Sequence, residues 1–259
     1  MATSTTFNDA VLSEILLAPN VDAQLRAAWG DIAAAIPELG ALAMPDGAGR
    51  HKDNVEHTIK VTAKTPARLR VRLTGLFHDV GKPPTRVITD SGVTFHHHER
   101  RGAAIAKKVL VRLGYSEQLA DEVARLVEIS GSTKGSQDWT DSAVRRFALD
   151  AGSLLEDLFD FANVDVTSRY EANHDRVREE VATLRRRVAE VAAADEAAKW
   201  RPVLSGDDLM FRYNMRPGKD VGFLLRKLAE LQRSAEASGV RFGPEEAWIA
   251  LDEYRDGEE

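Results

Sequence analysis

The residues of this 259-residue chain best suited to chemistry are His57, the adjacent pair His78-Asp79, and Asp165. Each lies in, or at the edge of, an apolar helical stripe. A charge buried without a partner is very costly, so these imidazoles and carboxylates need one. A divalent metal ion would satisfy all four at once, and metal-activated hydrolysis is the chemistry such a set supports. Taken singly, each has a plainer reading. Asp165 follows Leu154, Leu158, Phe161 and Ala162 at helical spacing and could pair with Arg169 instead. His78 could cap the last carbonyls of its helix, with Asp79 solvated. His57 shares a face with Val61, and a lone helical histidine is more often structural than catalytic. Taken jointly, four ligand-type residues on three apolar helices, with Gly81-Lys82 just after the His-Asp pair, make the plainer readings improbable.

The elements that must position these residues read as helical almost throughout. Val11 to Leu17 and Ala23 to Ile36 form two helices, the second stopped near Pro37, and a Gly/Pro/Asp-rich segment from Met44 to Arg50 breaks the chain. Val55 to Lys64 and Ala67 to Val80 follow, the latter with Leu69, Leu73, Leu76 and Val80 on one face. Gly81 stops that helix and Pro83-Pro84 prevents its return. Val87 to Phe95 reads as a loop whose turn at Asp90-Ser91-Gly92 could close a short hairpin. Glu99 to Leu113 is helical with Gly114 as its C-terminal cap, and Ser116 caps Glu117 to Ile129. Beyond the polar loop Ser130 to Asp138 come helices over Ser142 to Leu149 and Leu154 to Tyr170. A long charged helix, Arg176 to Ala198, precedes two short helices between Ser205 and Tyr254, placed around Arg216-Pro217-Gly218. Strand signals are nearly absent, so the expected class is mainly α.

Composition narrows the chemistry. Hydrophobic residues are 43% and charged residues 29%, ordinary for a globular protein. No apolar run is long enough to span a bilayer, and Met1 to Asp9 carry no signal pattern, so the expected location is cytoplasmic. There are no cysteines, which excludes disulfides, thiolate zinc sites and cysteine nucleophiles. The net charge is −6, so phosphate would have to be met by local basic stretches. Arg100-Arg101, Lys107-Lys108, Arg145-Arg146 and Arg169 are the candidates, whereas Arg185-Arg186-Arg187, inside a glutamate-rich helix, reads as a solvated face. Only four Trp and four Tyr occur, without interleaving among basic residues, so no base-stacking platform is visible.

The order His…His-Asp…Asp resembles the HD superfamily of metal-dependent phosphohydrolases. The stretches His51-Lys52-Asp53-Asn54-Val55-Glu56-His57-Thr58, Leu76-Phe77-His78-Asp79-Val80-Gly81-Lys82-Pro83, Phe95-His96-His97-His98-Glu99 and Trp139-Thr140-Asp141-Ser142-Ala143-Val144-Arg145-Arg146-Phe147 are similar to the C-terminal half of bacterial, actinobacterial-type CCA-adding tRNA nucleotidyltransferases. Asn163-Val164-Asp165-Val166-Thr167-Ser168-Arg169 is similar to that family's Ala-Asp-x-Thr-Ser/Thr-Arg segment. The resemblance implies a helical HD bundle over residues 46–175, a neck-like helical segment over 1–45, and a long charged helix with a small tail over 176–259. It implies His57, His78, Asp79 and Asp165 as ligands of one divalent cation. Mn²⁺, Fe²⁺, Co²⁺, Ni²⁺, Zn²⁺ and Mg²⁺ all remain open.

Two departures from that family bear on function. No Gly-Ser step followed by two carboxylates one residue apart, the pattern of that family's nucleotidyltransferase head, occurs, so CCA addition is not expected. Ser130 stands where the family's longer, two-metal ligand set has a histidine, while His98 matches the other extra histidine of that set. A one-metal site is therefore expected. In it, Asp79 serves as ligand and partner of the base, Lys82 as a point charge for substrate phosphate, and His98 as a substrate-facing or metal-proximal group. His96 and His97 belong to the preceding loop. Arg145, Arg146 and Arg169 are the expected phosphate contacts. The expected reaction is hydrolysis of a phosphoester on a nucleotide or RNA 3′ end. The alternative is a module that binds tRNA or docks a separate nucleotidyltransferase, with a weak metal site.

Overall fold

A computed structural model of the chain describes residues 7–44, 53–89, 92–166 and 171–256. They form a mainly α protein that divides into two units, Met1–Ala192 and Ala193–Glu259. The first unit opens with α1 (Asp9–Leu17), α2 (Val21–Ala35) and the one-turn α3 (Pro37–Gly40). Next come α4 (Asn54–Lys64), α5 (Leu69–Phe77), the one-turn α6 (Lys82–Thr85) and a hairpin of β1 (Val87–Thr89) and β2 (Gly92–Thr94). Then follow α7 (His98–Leu113), α8 (Glu117–Ile129), α9 (Asp141–Ala151), α10 (Leu155–Ala162) and the start of α11 (Glu171–Lys199). The second unit holds α12 (Gly206–Tyr213), α13 (Lys219–Ala237) and α14 (Pro244–Asp256).

Short polar side chains write the helix starts. Asn8, Asp53, Ser116, Thr140 and Ser205 each accept the backbone N–H three residues on, worth about 1 kcal/mol apiece. Gly114 ends α7 at φ 103°, where a Cβ would be strained. The strands pair antiparallel in the register Val87↔Thr94, Ile88↔Val93 and Thr89↔Gly92; residues 90 and 91 of the expected turn lie outside the described residues.

One core joins the first helices to the middle ones. Leu12, Leu16, Leu25 and Ile32 pack with Leu73, Leu76, Phe77, Val109, Leu110 and Val123. Each such side chain contributes about 1.5–3 kcal/mol when fully buried. A second cluster sets Val144, Phe147, Leu158 and Phe159 against Val181 and Leu184 of α11. Polar clamps orient the helices that matter for chemistry. Arg26 of α2 donates to Glu56 of α4 at 2.5 and 3.0 Å. The buried Asp157 of α10 accepts Arg68 at 2.9 Å and Arg70 of α5 at 2.5 Å. Arg72, itself buried, donates to the Leu16 carbonyl and so satisfies the last turn of α1.

Four expectations change in detail. The helix expected to reach Val80 ends at Phe77, and residues 78–81 turn before α6. The helix expected to reach Tyr170 ends at Ala162, because Asn163-Val164-Asp165-Val166 combines two poor helix formers with two β-branched residues. The tail contains three helices rather than two, with breaks at Asn214 (φ 51°) and Gly239 (φ 70°). The arginine run in α11 is not simply solvated. Arg187 donates to the Trp139 carbonyl at 2.8 Å and to Asp141 at 3.2 Å, and Arg185 pairs with Glu156 and Asp160.

Candidate metal centre

The early end of α5 is what brings His78 and Asp79 inward. The His78 amide still bonds to Thr74 O at 2.9 Å, completing the helix, and the chain then turns. Both side chains are almost fully buried. His57 comes from the second turn of α4, Asp165 from the turn just past α10. Their atoms converge. His57 Nε2 lies 3.2 Å from His78 Nε2 and 3.2 Å from Asp165 Oδ1. His78 Nε2 lies 3.3 Å from Asp79 Oδ2 and 3.7 Å from Asp165 Oδ1. His57 Nε2 is 3.9 Å from Asp79 Oδ2. His57, His78 and Asp79 form a group able to hold a metal ion, and Asp165 faces both histidines.

The donor set suits a divalent cation. His78 Nδ1 sits 2.8 Å from the Gly75 carbonyl, a bond only an N–H can make. In the neutral ring Nε2 therefore presents its lone pair to the cluster. A proton on one imidazole nitrogen can serve one partner; a cation can serve two nitrogens and two carboxylates together. Nitrogen and oxygen donors of this kind accept Mn, Fe, Co, Ni or Zn.

The charges of the cluster favour a positive group at its centre. Burial alone would push the His78 imidazole down, but the Asp79 and Asp165 carboxylates outweigh it and hold the ring above its ordinary value. Burial would likewise raise Asp165, yet the hydrogen bond with His57 and the charge of His78 hold it well below the usual carboxylate range. Lys134 adds to the same effect. That lysine belongs to the polar loop after α8 and was not singled out from the sequence, where nothing distinguishes it from any loop lysine.

Around this cluster the other expected residues divide. Lys82 Nζ lies 2.7 Å from Asp79 Oδ2 and 5.7 Å from the Phe95 ring centre. His98 Nδ1 bonds to Phe95 O at 2.8 Å, which leaves Nε2 facing Asp79 Oδ1 at 3.9 Å. His96 and His97 are exposed, and His97 adopts a left-handed φ of 60°. The approach of His98 depends on glycine. A Cβ on Gly81 would fall 2.0 Å from the His98 carbonyl oxygen and 2.6 Å from the Gly102 nitrogen. Ser130 is buried and donates back to Val127 O at 2.9 Å, so its hydroxyl is spent on its own helix. Arg145 and Arg146 are exposed on α9, and Arg146 lines a cavity with Trp139 and Phe147. Arg169 lies outside the described residues, as does any pairing of it with Asp165.

Comparison with known proteins follows the same residues. The sequence pattern of the HD domain matches residues 50–196. The CC-adding tRNA nucleotidyltransferase of Thermus thermophilus is 31% identical over 258 residues, covering 96% of this chain and 56% of that protein. The A-adding tRNA nucleotidyltransferase of Deinococcus radiodurans is 30% identical over 220 residues, covering 82% of this chain and 49% of that protein. The chain thus spans about half the length of the curated relatives it matches.

Proposed function

This chain belongs to the HD domain family, and from that membership we propose that it is a metal-dependent phosphohydrolase acting on a nucleotide or an RNA 3′ end. The observation that carries the proposal is the convergence of His57, His78 and Asp79 on one point, joined by Asp165 3.2 Å from His57. A divalent cation held there supplies two things, a more acidic water and a polarised phosphoryl oxygen. The protein supplies the rest. His57, His78, Asp79 and Asp165 hold the ion. Asp79 also accepts Lys82, which keeps that ammonium at the mouth of the site as a point charge for phosphate. The Nε2 of His98 is the proton carrier for the leaving oxygen, its ring fixed by the bond from Nδ1 to Phe95 O. Arg145, Arg146 and Arg169 are the remaining candidate phosphate contacts. Ser130 favours one metal rather than two. A cytoplasmic location fits such substrates. No helix among the described residues is long and apolar enough to cross a membrane.

The test is a substrate screen on protein purified in Mn²⁺, Ni²⁺ or Mg²⁺, covering nucleotides, 2′,3′-cyclic phosphates and phosphorylated RNA ends, with metal content measured on the same preparation. Turnover that disappears in His78→Ala and Asp79→Ala supports the reading. Absence of turnover with every metal, or full turnover in both variants, refutes it. A second reading has its own support in Ser130 and in relatives named for tRNA: a tRNA-binding or nucleotidyltransferase-docking module. It requires tRNA affinity that falls steeply with salt.

A further inference from the structure

Folding builds a second polar-aromatic cavity, away from the four candidate ligands but on the same loop that carries Lys134. It has a volume of about 400 Å³ and lies between α8, α9 and the loop after α8. That volume falls within the range of about 300–1,000 Å³ usual for small-molecule pockets. Its apolar wall is Trp139 with Phe147, whose rings meet at 5.3 Å and 58°. Trp139 is held in place by Arg187, which donates to its carbonyl at 2.8 Å. Its indole N–H has no hydrogen-bond partner among the described residues.

Along the same wall, Ser142, Arg146 and Asp150 repeat every four residues of α9, and all three line the cavity. Arg146 makes no ion pair or hydrogen bond among the described residues, unlike the neighbouring Arg125, which is occupied by Glu128 and by the Asp150 carbonyl. The row therefore runs from a hydroxyl at one end to a carboxylate at the other, with an uncommitted guanidinium between them, beside Trp139. An anion alone would use the first end and be repelled by the second. A neutral apolar ligand would use neither. A ligand that fits the whole wall has a flat ring, an anionic group at one end and hydrogen-bond donors at the other.

We propose that this cavity binds a nucleoside phosphate unit. The base stacks on Trp139, the phosphate meets Arg146 and Ser142, and amino or ribose hydroxyl groups donate to Asp150. This inference rests on the proposed phosphoester chemistry, but binding can be measured without turnover. The unit is either a free mononucleotide or a nucleotide of an RNA strand.

The experiment is calorimetric titration of the full chain with AMP, CMP, adenosine, inorganic phosphate and a 12-nucleotide single-stranded RNA. The wild type is compared with Trp139→Leu, Arg146→Ala and His78→Ala. The expected result is AMP or CMP binding that weakens about tenfold in Trp139→Leu, the loss of one base stack. Arg146→Ala should weaken AMP by a similar factor while leaving adenosine unchanged, and His78→Ala should bind AMP as the wild type does. Tighter binding of RNA than of AMP assigns the unit to a strand; equal or weaker binding assigns it to a free nucleotide. The proposal is overturned if neither the nucleotides nor the RNA bind, if both cavity variants bind like the wild type, or if His78→Ala abolishes binding and so moves it to the metal centre. Failure of these measurements with phosphoester turnover intact removes the cavity and keeps the enzyme.

Discussion

The Nε2 atoms of His57, on α4, and His78, just past the end of α5, face each other at 3.2 Å although the residues lie 21 positions apart. The Nδ1 of His78 is already committed to Gly75 O, so its Nε2 cannot turn elsewhere for a donor. Two nitrogens so placed, with Asp79 and Asp165 beside them, gain more from a shared cation than from any single proton.

Metal should therefore stabilise the fold measurably. At a free concentration one hundred times the dissociation constant, one site adds about 2.7 kcal/mol. Thermal unfolding of metal-stripped protein, titrated with Mn²⁺ or Ni²⁺, should show a rise in melting temperature that saturates. His78→Ala should lose most of the rise. An unchanged melting temperature across all the divalent ions would leave the four residues as a polar network and nothing more.

Gly81 is the residue on which His98 depends. A Cβ there meets backbone at 2.0 Å, not the end of a flexible side chain, so α7 has to shift. Gly81→Ala should cost about 1–3 kcal/mol, the usual toll of overpacking, and should move His98 away from Asp79. Gly30 in α2 is the control, since a Cβ there meets nothing within 4 Å. Gly30→Ala should be neutral or stabilising by up to about 1 kcal/mol. Urea unfolding of the two variants gives both numbers, and equal midpoints would contradict the role given to Gly81.

Much of this was legible in the sequence, and the parts that were not have identifiable causes. The start of α8 and the end of α7 were readable because Ser116 and Gly114 act through local geometry, and His78-Asp79 stood out because it follows an apolar run. The end of α10 was missed because Leu154, Leu158, Phe161 and Ala162 keep helical spacing up to the point where Asn163 and Val164 break it. Asp165 therefore reaches the cluster from a turn and not from a helix face. Arg146 was singled out from the sequence, but the role of Lys134 and the meeting of Trp139 with Arg146 in one cavity were not, for a different reason. Both depend on where the loop after α8 lands, which no spacing along the chain records. The absence of interleaved basic and aromatic residues along the chain did not preclude their meeting in space.

Tyr115 carries a pH dependence of known sign. Burial is the main cause that pushes its phenol up to about 12 from 10, with the Asp9 charge adding to it and the bond to Ser13 opposing. Its hydroxyl donates to the Asp9 carbonyl at 3.0 Å. A phenol whose folded value is raised favours the folded state fully below pH 10. It loses that contribution as pH climbs from 10 to 12, because the unfolded chain releases the proton first. The loss is at most about 2–3 kcal/mol. Tyr115→Phe should therefore be less stable at pH 7, by about 1 kcal/mol for the lost hydrogen bond, and should show a shallower decline between pH 10 and 12. Urea midpoints at four pH values decide it; parallel curves for the two proteins would exclude Tyr115 as a source of the slope.

Asp157 is the anchor through which α10 delivers Asp165. It is buried on α10, accepts Arg70 of α5 at 2.5 Å and Arg68 at 2.9 Å, and so ties the helix preceding Asp165 to the helix that precedes His78. Asp157→Asn keeps the volume and removes the charge. Arg70 retains Glu122 at 2.7 Å and Arg68 retains Asp160, so neither arginine is stranded. The expected cost is about 1–3 kcal/mol, that of a charged hydrogen bond lost in a buried setting. Metal affinity should also fall, because Asp165 loses its fixed approach to His57. Urea unfolding and metal titration on the same variant separate the two effects. A destabilised protein with unchanged metal affinity would mean that the turn after Ala162 places Asp165 without help from the clamp.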